Sequence, residues 1–224
     1  MVEVRKPRHL GGARQYLIFS WELIMIDEGK ERLDEFKKEL RRLSATRIVR
    51  KHILFRECCM LSRDKYFDLR SEVAGHFGLH PNEVLVVGST KLGFSVVPGK
   101  KYRLFGNESD IDVALVSSAL FDEFWEQVFR YKYEGSYWPE YDQFVDYFFQ
   151  GWIRPDKLPR SPMFPLREDW WNFFRTITNS RKYGDFKISG GLYKSYFFLE
   201  NYQTICIQQC IDNLEENNAN NSDE

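Results

Sequence analysis

Two short apolar runs set the pattern of this chain. Val84-Leu85-Val86-Val87 stops at Gly88-Ser89, and Ile111, Val113, Ala114, Leu115 and Val116 form a second run, entered through Ser109-Asp110-Ile111-Asp112. Four to six apolar, β-branched-rich residues bounded by Gly or polar positions predict buried strands. Residues i and i+2 of a strand point to the same face. Asp110 and Asp112 are therefore expected side by side, with Ile111 turned into the core.

Around these runs the spacing changes to three and four. Leu33, Phe36, Leu40 and Leu43 predict an amphipathic helix over 28–44, followed by a second helix after a break near Ser44. Residues 64–78 read as a helix stopped by Gly78. A further helix is expected over 119–133, then an extended, Pro-punctuated loop over 154–166 and an aromatic helix beginning at Asp169. A final helix is expected from Gly190-Gly191 to Leu214. Segment 16–26 stays open between a strand and a short buried helix. The implied fold class is α/β (α+β): one small mixed sheet with helical extensions at both ends. The implied organisation is a basic mobile arm over 1–15, one domain over 16–214 and a disordered polar tail over 215–224.

Composition adjusts this picture in a few places. A length of 224 residues suits one domain with appendages, and 43% hydrophobic content supports a real core. A net charge of −1 provides no global field for nucleic acid or membranes, so such a role would need a local patch. The run Leu17–Ile26 is too short to span a bilayer and contains Glu22. Cys58, Cys59, Cys206 and Cys210 form no Cys-x-x-Cys pair, which argues against a zinc knuckle and for a reducing, cytoplasmic setting. His76 and His80 lack acidic or Cys neighbours at ligand spacing. Residues 121–152 carry fourteen aromatics, and seven acidic residues face two basic ones over 122–146; core packing or a protein-partner interface is expected there. Residues 151–195 invert the balance, with nine positive charges against four negative ones, which would suit triphosphate or nucleic acid.

Two parallel carboxylates repel unless something positive lies between them. Mg²⁺ resolves the conflict, since it favours carboxylate oxygens together with substrate phosphates. Gly88 permits close backbone approach, and Ser89 offers a hydroxyl and an N–H where anions bind. Taken separately, Gly-Ser after a strand is an ordinary turn and Asp-x-Asp an ordinary strand entry. Together and in this order, Val86-Val87-Gly88-Ser89 and Ser109-Asp110-Ile111-Asp112-Val113 resemble the nucleotidyltransferase superfamily, the DNA polymerase β-like fold. Gly93-Phe94-Ser95 resembles that family's small-residue turn. The resemblance covers about residues 65–130. The spacer between Ser89 and Asp110 is longer than in the family's minimal members, and the surplus near Pro98–Arg103 reads as a longer hairpin or loop.

The resemblance implies a two-metal Mg²⁺ site, with Mn²⁺ as a substitute, held by Asp110, Asp112 and a third carboxylate on a neighbouring strand. Asp185, in the strand-like stretch Tyr183–Ile188, is the candidate for that third ligand and for the base, with Asp146 in reserve. Gly88 and Ser89 would position the phosphates of a nucleoside triphosphate, with Lys91 and Lys194 as further nucleotide contacts and Lys100, Lys101 and Arg103 as lesser ones. The expected activity is transfer of a nucleoside monophosphate to an acceptor hydroxyl, on RNA, a second nucleotide, a protein or a small molecule, with release of pyrophosphate. The rival expectation is a non-catalytic nucleotide-binding or partner-regulating protein of defence or toxin–antitoxin type, using 121–152 as its interface.

Overall fold

The structure is a computed structural model that describes residues 27–100 and 102–220. Lys101, the expected arm over 1–15, segment 16–26 and the last residues of the expected tail lie outside the described residues.

At the centre is a four-stranded mixed sheet in the order β1-β2-β4-β3. β1 (Val84–Val87) runs antiparallel to β2 (Ile111–Val116), β2 parallel to β4 (Ile188–Tyr193), and β4 antiparallel to the short edge strand β3 (Trp152–Ile153). The two central runs are continuously apolar because helices cover both of their faces. On one face Val84, Val86, Ile111, Val113, Leu115, Ile188 and Leu192 join a core formed with α3 (Arg63–Phe77), α5 (Ser118–Tyr133), α6 (Tyr141–Phe149) and α7 (Pro165–Asn179). On the other, Leu85, Val87, Ala114, Val116 and Tyr193 pack with α1 (27–40), α2 (Ala45–Ile48), the π-helical turn Val49–Phe55 that prolongs it, and α8 (Tyr196–Asn220).

β1, β2, α3 and α5 lie where the pattern puts them, and α1 ends at residue 40, short of the expected 44. Ser44 precedes α2 at the expected break. Gly78 closes α3 at φ +65. Ser62 and Ser117 accept from the amides of Lys65 and Leu120 at the starts of α3 and α5.

Three further boundaries differ. Gly190-Gly191 open no helix but lie inside β4, because they sit under large aromatics. A Cβ on Gly190 would stand 2.3 Å from Phe174 Cζ and 2.8 Å from Trp170 Cζ2, and one on Gly191 2.6 Å from Trp152 Nε1. The absent side chains let α7 and the β3 edge close onto the sheet. α7 starts at Pro165, inside the stretch expected to be loop, with proline in its first turn, where no amide partner is needed. α8 continues past Leu214 to Asn220, into the expected tail.

The aromatic-rich segment divides in two. Phe121, Phe124, Trp138 and Phe144 are buried, and the Trp138 indole donates to the Lys157 carbonyl at 2.8 Å. Trp125, Phe129 and Tyr133, one turn apart on α5, stay exposed, as do Tyr137 and Phe149. Among the described residues no helix is long and apolar enough to cross a membrane.

Candidate functional site

Three strand ends meet at one corner of the sheet. The antiparallel register sets Val87 across from Asp112, so the exit of β1 lies beside the entry of β2. The parallel register sets Asp112 beside Ser189 at the entry of β4. Gly88 follows β1 directly and opens the five-residue helix α4 (Gly88–Leu92) at φ +64. A Cβ on Gly88 would lie 2.9 Å from Asp112 Oδ2. The position therefore needs glycine twice, for its left-handed backbone and for the carboxylate against it. Thr90, fully buried, donates from Oγ1 to the Asp110 carbonyl at 2.9 Å and ties α4 to the approach of β2. The segment after α4 is the irregular hairpin that the long spacer suggested, with Phe94 bridged to Leu104 and the Phe105 amide donating to the Gly93 carbonyl.

Asp112 is the half-buried, less exposed member of the acidic pair. Burial pushes its carboxyl above the ordinary carboxylate range. The Ser189 hydroxyl, donating to Oδ1 at 3.1 Å, opposes this, and the neighbouring Asp110 charge adds to it. Asp110 itself precedes β2, which begins at Ile111. Asp110 is half-exposed, and Lys187 Nζ stands 4.0 Å from its Oδ2. Lys100 and Lys187 both act on Asp112 as favourable charges. The corner thus joins one exposed and one half-buried carboxylate to the backbone turn at Gly88, with two lysines nearby.

The remaining expected site residues lie elsewhere. Asp185 is not in a strand, since β4 begins only at Ile188. It sits exposed in the preceding turn and pairs with Arg181 at 3.3 Å. Asp146 is exposed on α6. Among the described residues no third Asp, Glu, His or Cys shares ligand range with Asp110 and Asp112. Lys194 follows the far end of β4, roughly 16 Å along the strand from Ser189 at about 3.3 Å per residue, and binds Asp122 at 2.5 Å. Lys91 is turned into the protein at 2% exposure, over the Tyr66 ring, and burial pulls its ammonium down to about 8. It does not figure among the charges acting on Asp112. Arg103 pairs with Glu108. Ser189, Lys187 and Thr90 escape a reading of sequence alone, because only strand register and loop closure bring them to the aspartates.

A second acidic group, Glu35, Glu39 and His52, lies within mutual ligand distance. Cations already satisfy it: Lys51 Nζ reaches Glu35 at 2.7 Å and Glu39 at 2.5 Å, and Arg56 reaches Glu35 at 2.7 Å. His52 Nε2 bonds Glu39 at 2.8 Å while its Nδ1 faces Arg56. Burial holds the His52 imidazole below its ordinary range. That bonding fits a neutral ring donating from Nε2, in an ion-pair network linking α1 to the π-helical turn. His76 also has a partner that spacing did not reveal, Asp169 of α7 at 2.9 Å, and its ring stacks on Phe173.

The donor set at the strand corner can be compared with a hard divalent cation. Asp110 and Asp112 offer two carboxylates, the half-buried one raised chiefly by burial, beside the backbone turn at Gly88. This chemistry fits Mg²⁺ shared with substrate phosphates. Comparison with family models, with curated proteins and with solved structures finds no match to this chain. What the geometry defines is an α+β chain with one mixed sheet and a carboxylate pair at the junction of three strands.

Proposed function

We propose that this chain is a Mg²⁺-dependent nucleotidyltransferase that takes a nucleoside triphosphate at the corner formed by Gly88, Ser89, Asp110 and Asp112. The single observation that carries the reading is Gly88, a left-handed glycine with no room for a side chain, set against the half-buried Asp112 carboxylate. In this reading Asp110 and Asp112 hold the cation, with Asp112 kept in place by Ser189. Gly88 and Ser89 let the phosphates approach the backbone, and Lys187 and Lys100 offset their charge. Mg²⁺, when bound, supplies the charge that screens the triphosphate and eases departure of the pyrophosphate. The acceptor hydroxyl oxygen bonds to the α-phosphorus as the bond to the β-phosphate oxygen breaks. Pyrophosphate leaves and the hydroxyl proton passes to water. The acceptor is RNA, a second nucleotide, a protein or a small molecule. All four cysteines are free thiols, in keeping with the reducing cytoplasmic setting proposed for it.

A second reading is nucleotide binding without transfer, in a protein that regulates a partner. Two observations favour it: the residue beside Asp112 on β4 is Ser189 and not a carboxylate, and Asp185 is engaged by Arg181. The exposed Trp125, Phe129 and Tyr133 would then form the partner surface. Incubation with each α-labelled nucleoside triphosphate, Mg²⁺ and candidate acceptors separates the readings. Label transfer and pyrophosphate release that disappear in Asp110→Ala/Asp112→Ala support the first. Tight nucleotide binding with no pyrophosphate supports the second. Equal transfer by wild type and the double variant excludes the site.

A further inference from the structure

The corner carries fewer carboxylates than a two-cation site needs, and the positions that could supply the third are occupied in a specific way. Across from Asp112 on the neighbouring strand stands Ser189, whose hydroxyl donates to Asp112 Oδ1. Two residues earlier, Lys187 places its ammonium 4.0 Å from Asp110. The entry of β4 and the residue just before it thus give the acidic pair a neutral donor and a positive charge. No other Asp, Glu, His or Cys among the described residues comes within ligand range of the pair. Two divalent cations would bring four positive charges to two carboxylates and a lysine whose net charge is −1, a surplus of three positive charges before the nucleotide binds.

We propose that this site takes one divalent cation with its nucleotide, Lys187 supplying positive charge where a second cation would otherwise stand and Ser189 fixing the orientation of Asp112. The inference rests on the reading that the corner binds a metal–nucleotide complex, but it holds whether or not transfer follows. Ser189 and Lys187 are positioning residues in this account. By holding Oδ1, Ser189 leaves Oδ2 facing Gly88, where cation and phosphate would meet. Lys187 is largely exposed, so it draws the Asp110 carboxylate without removing it from solvent.

The test counts Mn²⁺ by the loss of its free electron paramagnetic resonance signal. The intact chain is titrated with an α,β-methylene nucleoside triphosphate present and absent. One Mn²⁺ per chain–nucleotide complex is expected, and two per chain overturn the proposal while leaving the nucleotide site standing. No chain-dependent Mn²⁺ uptake with nucleotide present overturns the nucleotide site and this inference together. The variant K187M/S189D, which restores a carboxylate and removes the competing charge, is expected to take up a second Mn²⁺; a folded double variant that stays at one overturns the roles given to the two residues. K187M alone guards against misfolding of the double variant. Without nucleotide it should bind its Mn²⁺ about tenfold more tightly, the scale of a unit charge acting on a divalent ion at about 4 Å in water after screening by salt, and unchanged affinity contradicts the charge role of Lys187.

Discussion

Gly88 is where backbone and side-chain requirements coincide. Gly88→Ala places a Cβ against Asp112 Oδ2 and a side chain at φ +64. The carboxylate must rotate off Ser189, and the left-handed backbone adds its own strain. A loss of about 1–2 kcal/mol in denaturant unfolding is expected, together with loss of nucleotide binding. Asp112 makes a pH prediction whose sign follows from its environment. Its folded pKa is raised above the ordinary 3.8, chiefly by burial. The folded state therefore holds that proton more tightly than the unfolded chain, and stability falls as pH rises through the folded pKa. In metal-free buffer at neutral pH, Asp112→Asn should raise Tm, by about 2–4 °C if the relief is near 1 kcal/mol, and the fall with pH should be reduced. A lower Tm for the Asn variant would mean the carboxylate is better compensated than its surroundings indicate. Lys91 gives the complementary case. Burial lowers its folded pKa from 10.5 to about 8, so the unfolded chain binds more protons across that interval. Stability should rise between pH 8 and 10, and Lys91→Met should flatten this part of the profile. The lysine is legible in the sequence as a charge near the site, but not as a buried one, because its direction depends on how α4 packs under Tyr66.

At the scale of elements, β1 and β2 were legible because burial on both faces makes them continuously apolar and short. The Gly-Ser and Asp-x-Asp halves could be placed for the same reason, and the antiparallel register brings them together at Val87 and Asp112. β4 was not legible. Ile188-Ser189-Gly190-Gly191-Leu192-Tyr193 has glycines where a strand usually has bulk, and they read as a break before a helix. Their reason lies in the neighbours: Phe174 and Trp170 of α7 occupy the space above Gly190, and Trp152 of β3 that beside Gly191. That misplacement hid Ser189 and Lys187, and it made Asp185 look like a strand residue. Gly190→Ala should accordingly cost about 1–3 kcal/mol through overpacking against Phe174, with a lowered denaturation midpoint as the readout. If Gly190→Ala is neutral, α7 can retreat from the sheet, and the close contact does not determine the glycine.

For the molecule as a whole, two helical layers enclose a four-stranded sheet and leave one corner of that sheet accessible through Asp110. The Glu35–Glu39–His52 group joins α1 to the π-helical turn through Lys51 and Arg56, without requiring a metal. A chelator should therefore leave Tm of the nucleotide-free protein unchanged; a drop on adding EDTA would identify a structural ion. The accessible corner is the metal–nucleotide site proposed above. Its most direct test is calorimetric titration of the full chain with a non-hydrolysable nucleoside triphosphate in Mg²⁺, run beside Asp110→Ala/Asp112→Ala. Saturable binding at one nucleotide per chain, weakened at least tenfold in the double variant, is the predicted result. Equal binding by both proteins, or none by a folded wild type, would contradict it.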